Sequence, residues 1–226
     1  MRRHMFRWSP ARIIAGAFGS ISFIGSILLY LPWGHMPGQS ITYVDALYTA
    51  VSALCVTGLS IVDTAAVFNP FGQAILAVLI QVGGLGVSTM GAGVLLMLGR
   101  KVGIRQRNLI HDTMNLDSYS GVVRFLRTLF ATTVFIEVIG AFLGYFVFRR
   151  DYEMMESIGL SIFHSISSFN NAGLTILTKE RSMEMYAEDP FMLILTTALV
   201  FVGGLGFIVI RECWVNRFRW RKLSMH

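Results

Sequence analysis

One stretch of 13 residues, Ile162 to Leu174, restricts what this chain can fold into more than any other. It reads IFHSISSFNNAGL and lies between two strongly apolar segments. Its serine, asparagine and histidine side chains would each need a hydrogen-bonding partner in hydrocarbon, where an unmatched polar group costs several kcal/mol. Such a segment is tolerated in a membrane when it is buried in protein or lines water. The stretch therefore predicts a short helix that enters the membrane and returns through the loop Asn171-Ala172-Gly173.

The rest of the chain has the composition of an integral membrane protein. Hydrophobic residues make up 54% of it and charged residues only 14%, both far from the average soluble domain. At roughly 1.5 Å per residue, a helix needs about 20 apolar residues to cross a bilayer core. Four runs reach or approach that length, and one of them carries the single charge of Glu137. They are Ile13 to Leu31, Pro70 to Leu98, Thr128 to Phe148 and Phe191 to Ile210.

Two of these runs allow a finer prediction. The first run is expected to be retained as a helix because it lacks an A-x-A-like cleavage site, and Pro32 should end it. The run from Pro70 is longer than one bilayer needs, so we expect tilt, a kink or an extension beyond the membrane. Between them, the 17 uncharged residues from Ala46 to Val62 are marginal for a span.

The chain contains an internal repeat. Leu47 to Leu59, which reads LYTAVSALCVTGL, aligns with Ile162 to Leu174 at an offset of 115 residues. The alignment pairs Tyr48 with Phe163, Ser52 with Ser167, Gly58 with Gly173 and Leu59 with Leu174. Downstream, VGGLG at 82–86 matches VGGLG at 202–206 at an offset of 120, and the extra residues fall in a loop, where insertions are tolerated. The predicted architecture is therefore an all-α membrane protein in which a helix, a re-entrant pore loop and a second helix occur twice.

The distribution of charge predicts the orientation of the chain. With the N-terminus in the cytoplasm, fifteen of the 19 lysines and arginines fall on the cytoplasmic side, in the N-terminal arm, the connection at 100–127 and the tail from residue 211. Nine of the 13 acidic residues fall on the opposite side, to which both polar segments would open. This asymmetry follows the positive-inside rule. It accounts for the net charge of +6 without nucleic acid as a partner.

Both polar segments carry a glycine at the matched position. Gly58 follows Cys55-Val56-Thr57, and Gly173 follows Asn170-Asn171-Ala172. In an ion filter, backbone carbonyls replace the hydration shell of the ion, and glycine permits the backbone angles that aim them at one axis. Polar packing between helices is the alternative explanation of the same residues. The pattern favours the filter and leaves packing open.

These motifs together resemble the Trk/Ktr/HKT potassium-transport superfamily. ALYTAVSALCVTGL at 46–59, FHSISSFNNAGL at 163–174 and the paired VGGLG strings look like the first two repeats of that family, and the likeness covers nearly the whole chain. Because the first apolar run begins close to the N-terminus, the chain is most similar to the membrane subunit of a Ktr system. The resemblance implies a cation channel-like fold of four repeats around one pore, with a glycine in each filter segment that is central to potassium selectivity.

The resemblance also implies which residues bind the ion and what the chain works with. The implied filter residues are Cys55, Val56, Thr57, Gly58, Asn170, Asn171, Ala172 and Gly173. Some plant members have serine at the first filter glycine and favour sodium, so Gly58 argues for K⁺ as the transported ion, while coupling to Na⁺ stays open. No other cofactor is implied. The implied partners are membrane lipid and a cytosolic nucleotide-binding regulatory ring, in a bacterial inner (plasma) membrane.

The chain carries two of the family's four repeats. We divide it into a first repeat at 1–99, a cytoplasmic connection at 100–123 and a second repeat with a basic tail at 124–226. Two segments cannot enclose a fourfold filter, so we expect a truncated subunit, further copies of the chain, or another chain that supplies the missing repeats. The predicted function is potassium uptake by an ion-translocating membrane subunit or its N-terminal half. The alternative is a transport-inactive structural or assembly fragment, and an enzyme is not expected.

The VGGLG strings predict close packing. Gly84, Ser88 and Ala92 recur every four positions and lie on one helix face. A nucleotide-binding fingerprint is the competing explanation, but Gly84-x-Gly86 lacks the third glycine and lies within a span.

The sequence contains two ionisable residues within the predicted membrane region, and their roles can be explained in more than one way. Glu137 is either part of a proton relay that faces a wet path or a carboxyl that is hydrogen-bonded to a neighbouring helix. His164 lies within the second polar segment, but its match in the first is Thr49, which argues against a chemical role shared by the two repeats.

Overall fold

The computed structural model describes residues 10–87, 89–92, 122–178 and 182–205. The helices are α1 (Pro10–Tyr30), α2 (Tyr43–Leu54), α3 (Thr64–Val67), α4 (Pro70–Leu85), α5 (Val122–Phe148), α6 (Met154–Phe169) and α7 (Pro190–Gly204). Short 3-10 turns follow α1 at Pro32–Gly34 and precede α7 at Met183–Tyr186. Within these ranges β pairing is confined to an isolated bridge between His35 and Phe68. The prediction of an all-α chain is thus confirmed for the residues that are described.

Side-chain caps start four of these helices, including the short α3, where the carboxylate of Asp63 accepts two backbone N–H groups. At α2, Thr42 and Asp45 form a capping box in which each side chain accepts the backbone N–H of the other residue, at 3.2 Å and 3.1 Å. At α4 and α7, the side chains of Asn69 and Asp189 each accept two backbone N–H groups, and a proline occupies the first helical position. The starts of α4 and α7 therefore match at the same offset of 120 as the VGGLG strings.

Two helices are long and apolar enough to cross a membrane. They contain the segments Ala11–Tyr30, of 20 residues, and Val123–Phe148, of 26 residues, with mean hydropathies of 1.9 and 1.8. The helices α4 and α7 are apolar but shorter, at 16 and 15 residues. Large apolar side chains such as Phe23 on α1, Phe142 on α5 and Ile194 on α7 are exposed, as expected for surfaces that meet lipid. The helices predicted at 13–31 and 128–148 are confirmed.

Three boundaries differ from the hydropathy pattern. The helix α5 begins at Val122, six residues before the predicted Thr128, so the basic connection ends inside it. The run from Ala46 to Val62 forms one short helix, α2, and a non-helical segment after Leu54. The helix α4 stops at Leu85 because Gly86 has a φ of 81°, and helical hydrogen bonding resumes beyond it, where Met90 N donates to Gly86 O at 2.9 Å. Of the tilt, kink or extension expected for the run from Pro70, this break corresponds to a kink.

The two halves of the described chain pack in the same way. In the first half α1 contacts α2 and α4, and α2 contacts α4; in the second, α5 contacts α6 and α7, and α6 contacts α7. A Cβ built on Gly25 of α1 would lie 2.9 Å from Leu79 of α4, and one built on Gly140 of α5 would lie 2.9 Å from Leu199 of α7. Gly25 matches Gly140 at the offset of 115, and Leu79 matches Leu199 at the offset of 120. The halves meet where α4 contacts α6, and one continuous apolar core runs through both.

Several predicted features lie outside the described residues. They are the N-terminal arm at 1–9, most of the connection at 100–123, Ser88, Gly206 and the basic tail from residue 211. The orientation of the chain in the membrane, which rests on the charges in these segments, stays a prediction.

Candidate functional site

The first predicted filter segment follows α2 as a tight, tied loop. Ser52 Oγ donates to Leu59 O at 2.5 Å, and Thr57 N donates to Ser52 O at 2.9 Å, so the last turn of the helix holds both the middle and the end of the loop. Two residues of the loop have a left-handed backbone, Val56 with a φ of 56° and Gly58 with a φ of 78°.

The second predicted segment follows α6 and has the same local structure. Ser167 Oγ donates to Leu174 O at 2.6 Å, and Ala172 N donates to Ser167 O at 2.8 Å. The left-handed residues are Asn171, with a φ of 59°, and Gly173, with a φ of 71°. Each of these residues matches its counterpart in the first segment at the offset of 115. The serine, glycine and leucine pairs of the sequence alignment therefore have the same structural roles in both halves.

The alternation of left-handed residues has a consequence for the carbonyl groups. Successive carbonyls of a regular strand point to opposite sides. A chain in which positive and negative φ alternate can turn successive carbonyls toward a common side, and a positive φ recurs at every second residue in both segments, at Val56 and Gly58 and at Asn171 and Gly173. A row of carbonyl oxygens on one side is the arrangement that can take the place of water around a cation.

Glycines of the VGGLG strings allow the ends of α2 and α6 to approach their neighbours. A Cβ on Gly83 would run into the carbonyl oxygen of Leu54, the last residue of α2. A Cβ on Gly203 would run into the carbonyl oxygen of Phe169, the last residue of α6. Each of these two glycines therefore sets how closely a predicted filter segment lies to the following helix. The single helix face predicted for Gly84, Ser88 and Ala92 is not continuous, because α4 ends at Leu85 and Gly86 has a φ of 81°, and Ser88 lies outside the described residues.

The two segments meet each other through their backbones. A Cβ on Gly58 would meet the carbonyl oxygen of Ala172 and would lie 3.6 Å from the Cα of Gly173. Beyond the segments, Thr64 Oγ1 donates to the carbonyl oxygen of Thr175 and joins α3 to the second half. The structure therefore brings the two predicted segments together.

The eight predicted filter residues differ in exposure. In the first segment Cys55 and Thr57 are exposed, and Val56 and Gly58 are half-buried. In the second, Asn171 and Gly173 are exposed, whereas Asn170 and Ala172 are buried. The second segment is thus enclosed more deeply by its surroundings.

Glu137 lies beside the second segment and is hydrogen-bonded to it. Asn170 Nδ2 donates to Glu137 Oε1 at 3.2 Å and to Gln81 Oε1 at 3.0 Å. Of the two explanations for Glu137, a carboxyl bonded to neighbouring elements is the one that these contacts support.

His164 has contacts that the first half lacks. Its Nε2 lies 3.0 Å from Thr196 Oγ1 on α7 and 3.3 Å from Ser168 Oγ. In the first half, Thr49 bonds only its own helix among the contacts described, by donating to Asp45 O at 2.7 Å. The prediction that this position has no role shared by the two halves agrees with these bonds.

The sequence did not single out Gln81 as a site residue. It appears there only as a polar residue at the head of a glycine-rich string, within an apolar run. Its uncharged amide in a predicted span was the available signal, since polar side chains in spans are usually turned toward protein.

An ion pair lies at the start of α7. Arg150 Nη1 donates to Asp189 Oδ2 at 2.6 Å. The N–H of Met192, together with that of Phe191 and the guanidinium of Arg150, holds the pKa of Asp189 below its ordinary value, against the opposing effect of burial. Asp189 therefore stays charged as the cap of α7.

Comparison with known proteins gives a consistent result. The profile of the TrkH family, described as cation transport protein, matches residues 10–223. The chain is 35% identical to Ktr system potassium uptake protein B of Bacillus subtilis over 220 residues, which is 97% of this chain and 48% of that protein. It is also 35% identical to the potassium/sodium uptake protein NtpJ of Enterococcus hirae, over 97% of this chain and 48% of the relative. Ktr system potassium uptake protein D of Bacillus subtilis is 36% identical over 90% of this chain and 45% of its own length.

Proposed function

Because this chain belongs to the TrkH family of cation transport proteins, we propose that it is an ion-translocating part of a potassium-uptake system. Membership of the family and the two apolar helices of membrane length make it a membrane protein. The chain spans about half the length of the curated relatives it matches. Potassium is the proposed ion because the names of the three relatives above all specify it, and one of them adds sodium.

In this proposal each half is one repeat of helix, re-entrant pore loop and helix. The first repeat is α1, the loop that begins with α2, and α4; the second is α5, the loop that begins with α6, and α7. The matched serine bonds, the matched left-handed residues and the matched glycine contacts support the assignment, because unrelated loops would not share all three.

The ion would bind backbone carbonyls of Cys55 to Gly58 and of Asn170 to Gly173. The observation that supports this step is the positive φ at every second residue of both segments, a pattern that can turn successive carbonyls toward one side. The close approach of Gly58 to the carbonyl of Ala172 adds that the two rows are near enough to act on one ion path. Glycine at both matched positions supports K⁺, and any coupling to Na⁺ is part of the same proposal.

The proposed setting is a bacterial inner membrane, with the N-terminus in the cytoplasm and lipid around α1 and α5. Two loops supply two walls of a fourfold filter, so further copies of this chain, or another chain with two more repeats, would complete it. A cytosolic nucleotide-binding ring that docks on the basic inner segments is the proposed regulatory partner.

A growth assay tests the proposal. The chain is expressed in cells that lack their own potassium uptake, and growth at low potassium is compared for the native chain, Gly173→Asp and the control Gly159→Asp. Gly173 is in the filter with a φ of 71°, whereas Gly159 lies on α6 with open space around it. We expect growth with the native chain and the control, and none with Gly173→Asp.

Two other results would count against the proposal. Equal growth with the native chain and Gly173→Asp would rule out the filter. Absence of growth with every version, at equal amounts in the membrane, would favour the alternative of a transport-inactive structural or assembly fragment.

A further inference from the structure

A partly buried polar cluster joins three elements around the start of the second proposed filter segment. It consists of Gln81 from α4, Glu137 from α5 and Asn170, which follows the last residue of α6. The amide of Asn170 donates to both other side chains, at 3.0 Å to Gln81 and 3.2 Å to Glu137. Because Gln81 belongs to the first half, the cluster also ties the two halves together.

Asn170 occupies the point where the helix becomes the filter segment. Its backbone N–H still donates to Ile166 O at 3.1 Å, as in a helix, and its Nδ2 lies 2.9 Å from the same oxygen. The next residue, Asn171, already has a left-handed backbone. Two protons on Nδ2 are shared among three acceptors, so the side chain of Asn170 is held from α4, α5 and α6 at once. Holding this residue fixes the direction in which the following carbonyls leave the helix.

Gly84 provides the room for this cluster. A Cβ at Gly84 would lie 2.6 Å from Cγ and 2.7 Å from Cβ of Asn170. Any larger residue at this position would push the amide of Asn170 away from its partners. Gly84 therefore makes room for Asn170 of the second half, whereas Gly83 makes room for the end of α2 in the first half.

The first half has no equivalent cluster among the matched residues. Cys55 stands at the position of Asn170, and it is exposed. At the offsets of 115 and 120, Ser22 matches Glu137, and Phe201 matches Gln81. None of these three side chains has a carboxyl or amide group, so among the matched positions only the second segment is held by hydrogen bonds of this kind.

We propose that Glu137 is a positioning residue that, together with Gln81, holds Asn170 and thereby sets the carbonyl geometry of the second filter segment. The inference rests on the proposed function, because it assigns the cluster a role in potassium selectivity. Glu137 acts here through hydrogen bonds and does not carry protons along a path. A glutamine at the same position keeps an acceptor for Asn170 and adds a donor, so it preserves the role, whereas a leucine removes it.

The test measures ion-dependent stability and ion selectivity of the same variants. The chain is purified in the assembly that it forms in its membrane, and its thermal unfolding is followed in KCl and in NaCl. A ligand that binds only the folded state raises the unfolding temperature with its concentration, which gives an apparent affinity for K⁺ and for Na⁺. Uptake of K⁺ in the presence of Na⁺ is measured in parallel. The variants are Glu137→Gln, Glu137→Leu and Gln81→Leu, with Ser22→Ala as the matched control on α1.

We expect the native protein and Ser22→Ala to prefer K⁺ over Na⁺ to the same degree. Glu137→Leu should weaken the apparent affinity for K⁺ about tenfold, which corresponds to the loss of one hydrogen bond. The ratio of the apparent affinities for K⁺ and Na⁺ should fall as well. Glu137→Gln should keep most of the apparent affinity for K⁺ and most of the preference for K⁺ over Na⁺. If Glu137→Leu does not fold, Gln81→Leu opens the cluster from the other half and should show the same direction of change.

Each contrary result has a distinct meaning. A native protein with no preference for K⁺ overturns the proposed filter itself. A native preference that survives intact in folded Glu137→Leu and Gln81→Leu overturns the positioning role and leaves the filter standing. Loss of uptake in folded Glu137→Gln to the level of Glu137→Leu also overturns it, because only a carboxyl that must ionise or pass a proton would fail in that way.

Discussion

The two halves of this chain build the same loop with different side chains. Both loops are tied by a serine to a leucine carbonyl, and both bring a left-handed glycine to the matched place. Around this shared backbone the residues diverge: the first loop starts at an exposed cysteine, and the second starts at a buried asparagine held by Gln81 and Glu137. A few small and hydroxyl-bearing residues therefore define the backbone of the loop, whereas the side chains around each copy determine how many hydrogen bonds hold it in place.

A second difference lies at the first left-handed residue. In the first loop it is Val56, a β-branched residue for which a positive φ is a strained outlier. In the second it is Asn171, a residue type that adopts this conformation more readily. The first loop is therefore the more strained copy at this position as well as the less supported one.

The largest effects are expected when a methyl group is added at Gly83 and Gly203, where the end of each loop-bearing helix packs closely against the next helix. Gly83→Ala and Gly203→Ala each place a Cβ against a backbone carbonyl that belongs to the end of a helix. We expect both to lower the free energy of unfolding by about 3 kcal/mol, the upper end of the usual cost of overpacking. Gly204→Ala is the control, since the nearest atom to its Cβ is Asn171 Nδ2 at 3.9 Å. Unfolding in mixed micelles measures all three, and a large difference between the first two would break the correspondence of the halves.

Substitution of Gly58 and Gly173, the glycines of the proposed filter, should destabilise the two loops to different degrees. Gly58→Ala combines a left-handed backbone with a contact on the carbonyl of Ala172, so we expect a loss of about 2 to 3 kcal/mol. Gly173→Ala has open space around its Cβ and should cost only the backbone term, about 1 to 2 kcal/mol. The same unfolding assay decides, and a larger loss at Gly173 would contradict the backbone approach described between the loops.

Exchange of the first left-handed residues should have opposite effects in the two halves. Asn171→Val should destabilise the chain by about 1 kcal/mol, since a β-branched residue there is strained. Val56→Asn should relieve that strain, with a gain below about 1 kcal/mol because Val56 also packs against the core. Thermal unfolding of the two single variants and of the double exchange would show this, and destabilisation by both single changes would refute it.

The smallest effect concerns the caps of α4 and α7. Asp189→Asn copies the cap that Asn69 already provides, so the variant should lose only the ion pair with Arg150. Since the pKa of Asp189 is lowered in the folded state, its charge stabilises the fold above the ordinary pKa of an aspartate and ceases to do so as the pH falls through the lowered value. The native chain should therefore unfold at a slightly higher temperature than Asp189→Asn at pH 7, and this difference in unfolding temperature should disappear below about pH 4. A gap that is independent of pH would contradict this origin.

Internal comparison of the sequence predicted most of the loop geometry. The pairs Ser52 with Ser167 and Gly58 with Gly173 came from the alignment, and in the structure each pair has the same bond or the same φ. The alignment worked because these residues are required by the backbone itself, so both halves had to keep them.

Hydropathy and repeats could not predict the contacts that differ between the halves. Gln81 and Asn170 are 89 residues apart and belong to different repeats, so no internal pairing connects them. The early start of α5 escaped detection because exposed arginines such as Arg124 and Arg127 are good helix residues but end an apolar run. The stop of α4 depends on the φ of Gly86, and a hydrophobicity pattern contains no backbone angles.

The proposal that carbonyls of both loops bind potassium can be tested by locating the ion in a crystal. Rb⁺, which replaces K⁺ and scatters anomalously, is introduced into crystals of the protein in its native assembly. We predict anomalous peaks beside the carbonyl oxygens of residues 55–58 and 170–173, and their disappearance when Na⁺ replaces Rb⁺. Rb⁺ bound elsewhere in the membrane region, with no peak at either loop, would show that the carbonyls of these loops do not form the ion site.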